Sequence, residues 1–356
     1  MILSDEHTEI KEMTAKFSDL ELAPKASEID EQGKIPESIR QKLVENGFMG
    51  IYIPEEYGGA GMDYLSYAII IEELSRGCAS TGVYVSAHSS LCTWPILAYG
   101  TDKQKTKYLP KLASGEFVGC FCLSEPDAGS DAASLTCFAE DKGDYFEISG
   151  AKNWITNGKE AGIAIVFAKT RKTDNHKGIS AFIVETSSEG FNVMKSENKL
   201  GIRGSSTTQI VLDKVKVSKD NLLGKIEKGF SIALATLDGG RLGIAAQALG
   251  IGEAAFRYAK HYSKERVQFG APIGQLQAIQ FILADMSVGL SASRLLIYDG
   301  SQKKDLKLPF SKEAAQAKLF ASETAMQTTV KAIQVCGGNG YTKEYPQEQL
   351  LRDCKI

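Results

Sequence analysis

The hydrophobic period changes twice along the 356 residues, and this change constrains the fold more than any other feature of the sequence. Apolar residues recur at helical spacing up to about Phe117. Short β-rich runs with turn signals replace them as far as about Asn221, and helical spacing returns after Gly224. A chain with this pattern has to place a β-rich part between two helical parts.

We therefore predict an α+β multidomain protein. An N-terminal α-helical domain spans residues 1–117, a small antiparallel β domain spans 118–225, and a C-terminal α-helical bundle spans 226–356. The predicted bundle helices are Gly229–Arg266, interrupted at Gly239-Gly240, then Gln275–Ser301 and Ser311–Val335. In the first domain, Ser80–Tyr99 reads as one buried helix.

Composition excludes several classes of protein. With 43% hydrophobic and 24% charged residues, the chain is typical of a soluble globular protein. Its net charge of −3 and the absence of a Lys/Arg block argue against nucleic-acid binding. No apolar run approaches the roughly 18 residues of a membrane span. Seven scattered cysteines favour a reducing compartment, and four separate histidines predict no metal site.

The stretch Cys120–Leu135 is the first candidate site. An apolar run ends in Ser124-Glu125-Pro126, and a turn follows through Asp127 to Gly129. Hydroxyls and free backbone N–H groups at a strand end suit a ligand with carbonyl and phosphate oxygens. When this stretch is taken alone, the simpler interpretation, an ordinary strand end with a Pro/Asp/Gly turn, is favoured.

Lys152–Asn157 is the second candidate. Trp154 and Thr156 share one face of an alternating strand, so a large aromatic plane stands beside a hydroxyl. This pair suits a flat heteroaromatic ligand with carbonyls at its edge, whereas the simpler interpretation is a core tryptophan.

Three further stretches carry weaker signals. Asp238-Gly239-Gly240-Arg241 places two charges on one helix face, as a binding pair or as a solvated salt bridge. Arg266 suits phosphate, or a helix C-terminus in its own right. Gly337-Gly338 offers backbone N–H groups to a diphosphate, or simply caps a helix.

Together these motifs resemble the acyl-CoA dehydrogenase family, most closely its short-chain (butyryl-CoA) branch. The resemblance rests on five stretches in the family's order and runs from the first helix to Ile356. The stretches are Leu123–Asp131, Trp154–Asn157, Asp238–Arg241, Arg266–Gly270 and Gln334–Gly340.

The resemblance implies bound FAD and a set of residues around it. Those along the flavin and the thioester would be Phe121, Leu123, Ser124 and Ser130, with Trp154 and Thr156 on the opposite side. Gln334, Gly337 and Gly338 would meet the diphosphate and adenosine end of FAD. Arg266, Phe269 and Gln277 would reach the cofactor of a neighbouring subunit, in a dimer that usually pairs into a tetramer. Ser130, Asp238 and Arg241 would contact the acyl-CoA. We expect the acyl pocket near the helix around Ser89–Ile96, where Leu91 and Trp94 would set its depth, and near the residues before Asp238.

The implied reaction is α,β-dehydrogenation of a short-chain acyl-CoA, as in fatty acid metabolism, with electrons passed to an electron-transfer flavoprotein. The α-proton would go to a carboxylate and the β-hydride to flavin N5. In the short-chain branch that carboxylate is a glutamate soon after a run like Arg352–Ile356, so we expect the base just beyond Ile356, and not in Leu234–Leu242, which holds no glutamate. We expect a bacterial cytoplasmic protein, with a mitochondrial matrix protein as the alternative.

Other functions stay open on the sequence. The same fold serves as an enoyl-CoA reductase in anaerobes, or as a dehydrogenase of cyclic, branched or aryl acyl-CoAs. An oxygen-using oxidase is a third possibility. A non-catalytic flavoprotein that binds nucleic acid needs a basic surface, against which the net charge of −3 argues.

Overall fold

The computed structural model describes residues 2–172 and 176–356, and it confirms the predicted order of helices, sheet and helical bundle. The exact domain boundaries stay a prediction. The N-terminal part contains seven α-helices: α1 (Asp5–Phe17), α2 (Ala26–Gln32), α3 (Glu37–Glu45), α4 (Tyr64–Gly77), α5 (Ala79–Ser86), α6 (Trp94–Tyr99) and α7 (Asp102–Ala113).

Helix α4 lies at the centre of the helical core, because all of its 14 residues are buried. Such a helix has neighbours on every side. Its first turn is capped twice. Asp63 accepts the N–H of Ser66 at 2.8 Å, and Asp305 of the C-terminal part accepts the N–H of Tyr64 at 2.8 Å. The first and last parts of the chain therefore share one hydrophobic core.

The predicted helix Ser80–Tyr99 is divided into three pieces. A π-helical segment, Ala87–Thr93, separates α5 from α6. Wide turns of this kind are frequent at functional sites. Local spacing could not reveal it, since the segment is as apolar as the helices on either side.

The β domain is built on one eight-stranded sheet. Its strands are β1 (Val118–Cys122), β2 (Phe138–Asp141), β3 (Tyr145–Thr156), β4 (Ala161–Lys169), β5 (Ile179–Glu185), β6 (Phe191–Ser196), β7 (Thr207–Ser218) and β8 (Leu222–Leu223). The order is β6-β7-β3-β2-β4-β5-β8, with β1 paired to β4. The prediction of an antiparallel domain was wrong for two pairs. β1 runs parallel to β4, as does β2 at one position, so the sheet is mixed.

Helix α8 (Gly229–Glu265) runs unbroken for 37 residues, and Gly239-Gly240 interrupts its alanine-rich pattern without ending it, as expected. Two glycines cost a helix roughly 2 kcal/mol relative to alanine. Here both are buried, and a Cβ at Gly240 would lie 3.0 Å from Leu91 Cδ2, while one at Gly239 would collide with the Lys304 side chain. Tight packing of neighbours against the backbone outweighs the lost propensity.

The remaining elements complete the bundle and its connections. They are the hairpin strands β9 (Val267–Gln268) and β10 (Ala271–Pro272), then α9 (Gln277–Asp305), α10 (Ser311–Cys336) and α11 (Gln347–Cys354). Helix α11 was not predicted. By length and mean hydropathy (1.4 over 18 residues), α9 alone among the described helices could cross a membrane. The sequence of this helix holds no unbroken apolar run of spanning length. In the structure, α9 packs against α8 and α10.

Candidate active site

A cavity of about 430 Å³ lies where the β domain meets α8 and the π-helical segment. This volume is within the range of small-molecule sites, roughly 300–1,000 Å³. The cavity is lined by Ala87, Leu91, Phe121, Leu123, Ser124, Gly129, Ser130, Asp131, Ala132, Ala133, Asn153, Trp154, Ile155, Thr156, Phe230, Leu234, Leu237 and Arg241. The structure thus brings together all six residues predicted along the flavin, and Arg241 with them.

One wall is the end of β1 and the loop that follows it. β1 is held inside the sheet by parallel pairing with β4, and its last residue, Cys122, is fully buried. The loop then turns back on itself, because Glu125 and Ala128 exchange backbone hydrogen bonds of 3.0 and 3.2 Å. Phe121, Leu123 and Ser124 come from this wall, and Ser130 lies on its exposed lip.

The opposite wall is a bulge in β3. Between Lys152 and Ile155 the pairing with β7 shifts by one residue, and Trp154 has a φ of 61°. A left-handed backbone costs a bulky residue about 1–2 kcal/mol, and such strain clusters at functional sites. The bulge leaves the Trp154 side chain 63% exposed against the cavity, so the simpler interpretation of a core tryptophan was wrong.

Helix α8 forms the third side. Arg241 lines the cavity and pairs with Asp238, which also accepts a 2.5 Å hydrogen bond from Ser311 Oγ. Asp238 itself lies outside the lining and holds the Arg241 guanidinium from behind. A direct contact of Asp238 with a ligand stays a prediction.

The polar groups of the cavity are free to bind a ligand. The hydroxyls of Ser124, Ser130 and Thr156 make no hydrogen bond to any part of the chain that the structure describes. A ligand that bonds to these hydroxyls therefore meets no competing partner from the described chain. Beside the Trp154 plane, this donor and acceptor set fits a flat heteroaromatic ring with polar edges.

The other predicted cofactor residues lie on a separate surface, which we call the hairpin surface. It consists of Arg266, Phe269, Gln277, Gln334, Gly337 and Gly338, and all six are exposed. Phe269 and Gly270 both have positive φ in the two-residue β9–β10 turn, which leaves Phe269 93% exposed at its tip. Asn339 Nδ2 donates to Tyr262 Oη at 3.0 Å, which ties the end of α10 to the end of α8. None of the six lines the cavity within the described chain.

Some cavity residues had only a partial signal in the sequence. Leu91 and the residues before Asp238 were expected near an acyl pocket, and Leu91, Leu234 and Leu237 do line the cavity. Trp94 was expected there too, but it lies outside the lining. Its ring is 4.5 Å from Lys304 Nζ, which also lies 3.5 Å from the Tyr64 ring centre. Among the described residues, no group of His, Cys, Asp and Glu side chains could hold a metal ion.

The fold and the cavity define a class: an α–β–α chain with a cavity suited to a flat ligand between its sheet and its long bundle helix. Three family models match the chain. They are the acyl-CoA dehydrogenase N-terminal domain over residues 4–116, the middle domain over 120–215 and the C-terminal domain over 227–356. The chain therefore belongs to the acyl-CoA dehydrogenase family, a family of oxidoreductases, which confirms the resemblance seen in the five motifs.

Two relatives of the chain are named for different reactions, a dehydrogenation and a reduction. The chain is 48% identical to the short-chain-specific acyl-CoA dehydrogenase of Clostridium acetobutylicum, covering 99% of this chain and 93% of that protein. It is 44% identical to the 3-(aryl)acrylate reductase of Clostridium sporogenes, covering 100% and 94%.

Solved structures agree with these relatives. Butyryl-CoA dehydrogenase of Megasphaera elsdenii superimposes with a TM-score of 0.98 at 44% identity, over 100% of this chain and 94% of that one. A chain from a study of the electron transferring flavoprotein of Acidaminococcus fermentans gives 0.98 at 47%, with the same coverage. An acyl-CoA dehydrogenase complexed with FAD from Bacillus anthracis gives 0.92 at 32%, over 99% and 65%.

Proposed function

We propose that the protein binds FAD and catalyses the α,β-dehydrogenation of a short-chain acyl-CoA thioester. The observation that carries this proposal is the cavity between the β1 loop and the Trp154 bulge, with free hydroxyls on both walls and Arg241 on the third side. Bound FAD supplies the two-electron acceptor for the hydride that leaves the β-carbon. The comparisons support the cofactor, since an FAD complex is among the similar structures.

Each wall has a part in holding the reactants. Phe121, Leu123 and Ser124 contact one side of the flavin, and Trp154 and Thr156 contact the other. The rings and aliphatic side chains exclude water from the cavity, which strengthens every hydrogen bond inside it. With the flavin fixed between the two walls, the thioester beside it is held in one orientation before the α-proton is transferred. Orientation of this kind substantially lowers the activation barrier of the reaction.

The α-proton of a thioester is too weakly acidic for a free carboxylate in water. Donors at the thioester carbonyl must stabilise the developing enolate, and the base must sit in a desolvated pocket that raises its pKa. Among the described residues that line the cavity, Asp131 is the only carboxylate, and it is exposed at the rim. We therefore retain the glutamate expected after the Arg352–Ile356 run as the proposed base.

Arg241 and Ser130 are the proposed contacts for the CoA portion. Asp238, which accepts a hydrogen bond from Ser311, pairs with the Arg241 guanidinium, so this side chain loses little conformational freedom on binding. The electrons leave to an electron-transfer flavoprotein, a partner supported by the similar chain in the Acidaminococcus study.

We also propose that two subunits share each cofactor. The Arg266 side chain makes no hydrogen bond or ion pair with another described residue, and Phe269 is 93% exposed at the hairpin tip. Exposed apolar side chains continue along α9 and α10, at Phe281, Val288 and Phe320. A neighbouring chain that covers this face would receive the hairpin surface at the diphosphate end of its FAD, in a dimer or tetramer.

A second candidate function is the reverse reaction on an aryl enoyl-CoA, and it rests on the 44% identity to a 3-(aryl)acrylate reductase.

We propose that the protein is located in a bacterial cytoplasm. All seven cysteines are buried free thiols, as expected of a protein kept in reducing conditions.

Anaerobic titration of the full-length holoprotein tests the proposal. We expect butyryl-CoA to bleach the visible flavin band with the release of crotonyl-CoA. Bleaching by 3-arylpropionyl-CoA alone, or faster reoxidation of the reduced protein by 3-arylacryloyl-CoA, would favour the second candidate. If no short, branched, cyclic or aryl thioester bleaches the band, both functions are wrong. Peroxide formation in air reports an oxidase.

A further inference from the structure

A buried ion pair lies behind the two walls of the cavity and joins them. Lys152 of β3 has no exposed surface, and Glu125 of the β1 loop is 4% exposed. The Lys152 ammonium donates to Glu125 Oε1 at 2.7 Å and to the carbonyl oxygen of Leu123 at 3.2 Å. Neither charged residue lines the cavity.

Glu125 is bound at both oxygens. Oε2 accepts the N–H of Thr136 at 2.6 Å and its hydroxyl at 2.9 Å, while Oε1 accepts the N–H of Cys137 at 3.0 Å. Burial raises the pKa of this carboxyl, but the Lys152 charge and these hydrogen bonds together lower it below its ordinary value. Glu125 is therefore an acceptor-only carboxylate, and Lys152 is its counter-charge.

The pair fixes a peptide group that faces the cavity. Lys152 holds the carbonyl of Leu123, and in a trans peptide the next N–H, that of Ser124, points the opposite way. The Ser124 N–H makes no hydrogen bond to another described residue, and Ser124 lines the cavity. On the other side of Ser124, its carbonyl accepts the N–H of Asn153 at 2.9 Å. Two successive residues of β3 thus hold Ser124, one residue before the Trp154 bulge.

We infer that Lys152 and Glu125 are positioning residues that aim the Ser124 N–H and the Trp154 ring at the flavin. The inference rests on the proposed FAD site. A buried ion pair is weak support for stability, because desolvation offsets most of the attraction. An apolar pair of the same size could not take its place. The ion pair anchors the Leu123 carbonyl and at the same time fixes the distance between the β1 loop and the β3 bulge.

Two variants of the full-length holoprotein test this. Lys152→Met keeps the length of the side chain without its charge, and Lys152→Met with Glu125→Gln removes both charges. Glu73→Gln is the matched control, since it breaks another buried pair, Arg76 Nε to Glu73 Oε2 at 2.6 Å, in the helical core. We expect both test variants to raise the FAD dissociation constant at least tenfold and to shift the visible flavin spectrum. The control changes thermal stability and leaves the spectrum unaltered.

Activity gives a second readout. With saturating FAD, kcat should fall more than tenfold while KM changes less than threefold, because a misplaced flavin slows the hydride transfer and leaves the contacts to the CoA portion unchanged. A wild-type spectrum and FAD affinity in the double variant would overturn the inference. Failure of both variants to fold, with Glu73→Gln folded, would overturn it too, since the pair would then serve folding alone. Wild-type FAD binding without bleaching by any thioester would instead count against the proposed reaction.

Discussion

Lowering the pH should weaken the junction at His88, which joins the helical domain to the β domain. His88 is fully buried in the π-helical segment, next to Ala87 of the cavity. Its Nδ1 accepts the N–H of Gly119 in β1 at 3.0 Å, and its Nε2 therefore carries the proton that it donates to the carbonyl of Met49 at 2.9 Å. Only the neutral ring can make both bonds.

Burial lowers the pKa of His88 from 6.5 to about 4, although hydrogen bonds to backbone groups partly oppose this. The unfolded chain takes up the proton at higher pH than the folded one. The stabilisation is therefore complete above about pH 6.5 and is lost as the pH falls toward 4. A shift of this size corresponds to on the order of 3 kcal/mol once the full range has been crossed.

His88→Gln isolates this effect, because glutamine also offers one acceptor and one donor but does not titrate in this range. Urea unfolding of both proteins, followed by tryptophan fluorescence from neutral pH to about pH 4.5, measures the difference in their free energies of unfolding. We expect wild type to be the more stable at neutral pH and to lose at least about 2 kcal/mol of that advantage on acidification. A difference that stays constant across this range would refute the assigned protonation state.

Three further predictions follow from charged groups. Arg241→Ala should raise KM for the acyl-CoA about 10- to 100-fold, as the loss of a charge-assisted contact implies, whereas Arg257→Ala on the same helix should leave it unchanged in steady-state kinetics. Arg266→Ala should weaken both FAD retention and subunit assembly, and an intact, FAD-saturated oligomer on gel filtration would contradict the shared cofactor. Burial lowers the pKa of Lys304 from 10.5 to about 7. The free energy of unfolding of the wild type should therefore rise relative to that of Lys304→Met as the pH increases from about 7, by up to about 1.4 kcal/mol per pH unit. Thermal or urea unfolding measures this difference.

The sequence could predict the architecture because hydrophobic period is local information. The long helices and most strands follow from spacing alone, and the mixed sheet does not. The parallel pairing of β1 with β4 joins residues such as Phe121 and Ile165, and nothing in either segment specifies its partner. The spacing also places Gly239 and Gly240 inside α8, but the side chains that pack against them are likewise not local information.

The site was predictable in part for the same reason. Motif residues such as Ser124, Trp154 and Arg241 converge on one cavity, as expected. The bulge that exposes Trp154 changes the strand's alternation, and spacing cannot show it. In the sequence, Lys152 looks like an ordinary polar strand residue. Its burial is tolerable only because it pairs with Glu125, which lies 27 residues earlier and so cannot be recognised from local spacing.

Tryptophan fluorescence tests most directly the central claim that the flavin lies between the β1 loop and the Trp154 bulge. The chain has only two tryptophans, so Trp94→Phe leaves Trp154 as the single reporter. We expect addition of FAD to the full-length apoprotein of this variant to quench its emission strongly and stoichiometrically, with the same titration midpoint as the visible flavin band. Trp154→Phe, which retains Trp94, should be quenched far less. Stoichiometric FAD binding that leaves Trp154 emission unchanged would contradict this placement of the cofactor.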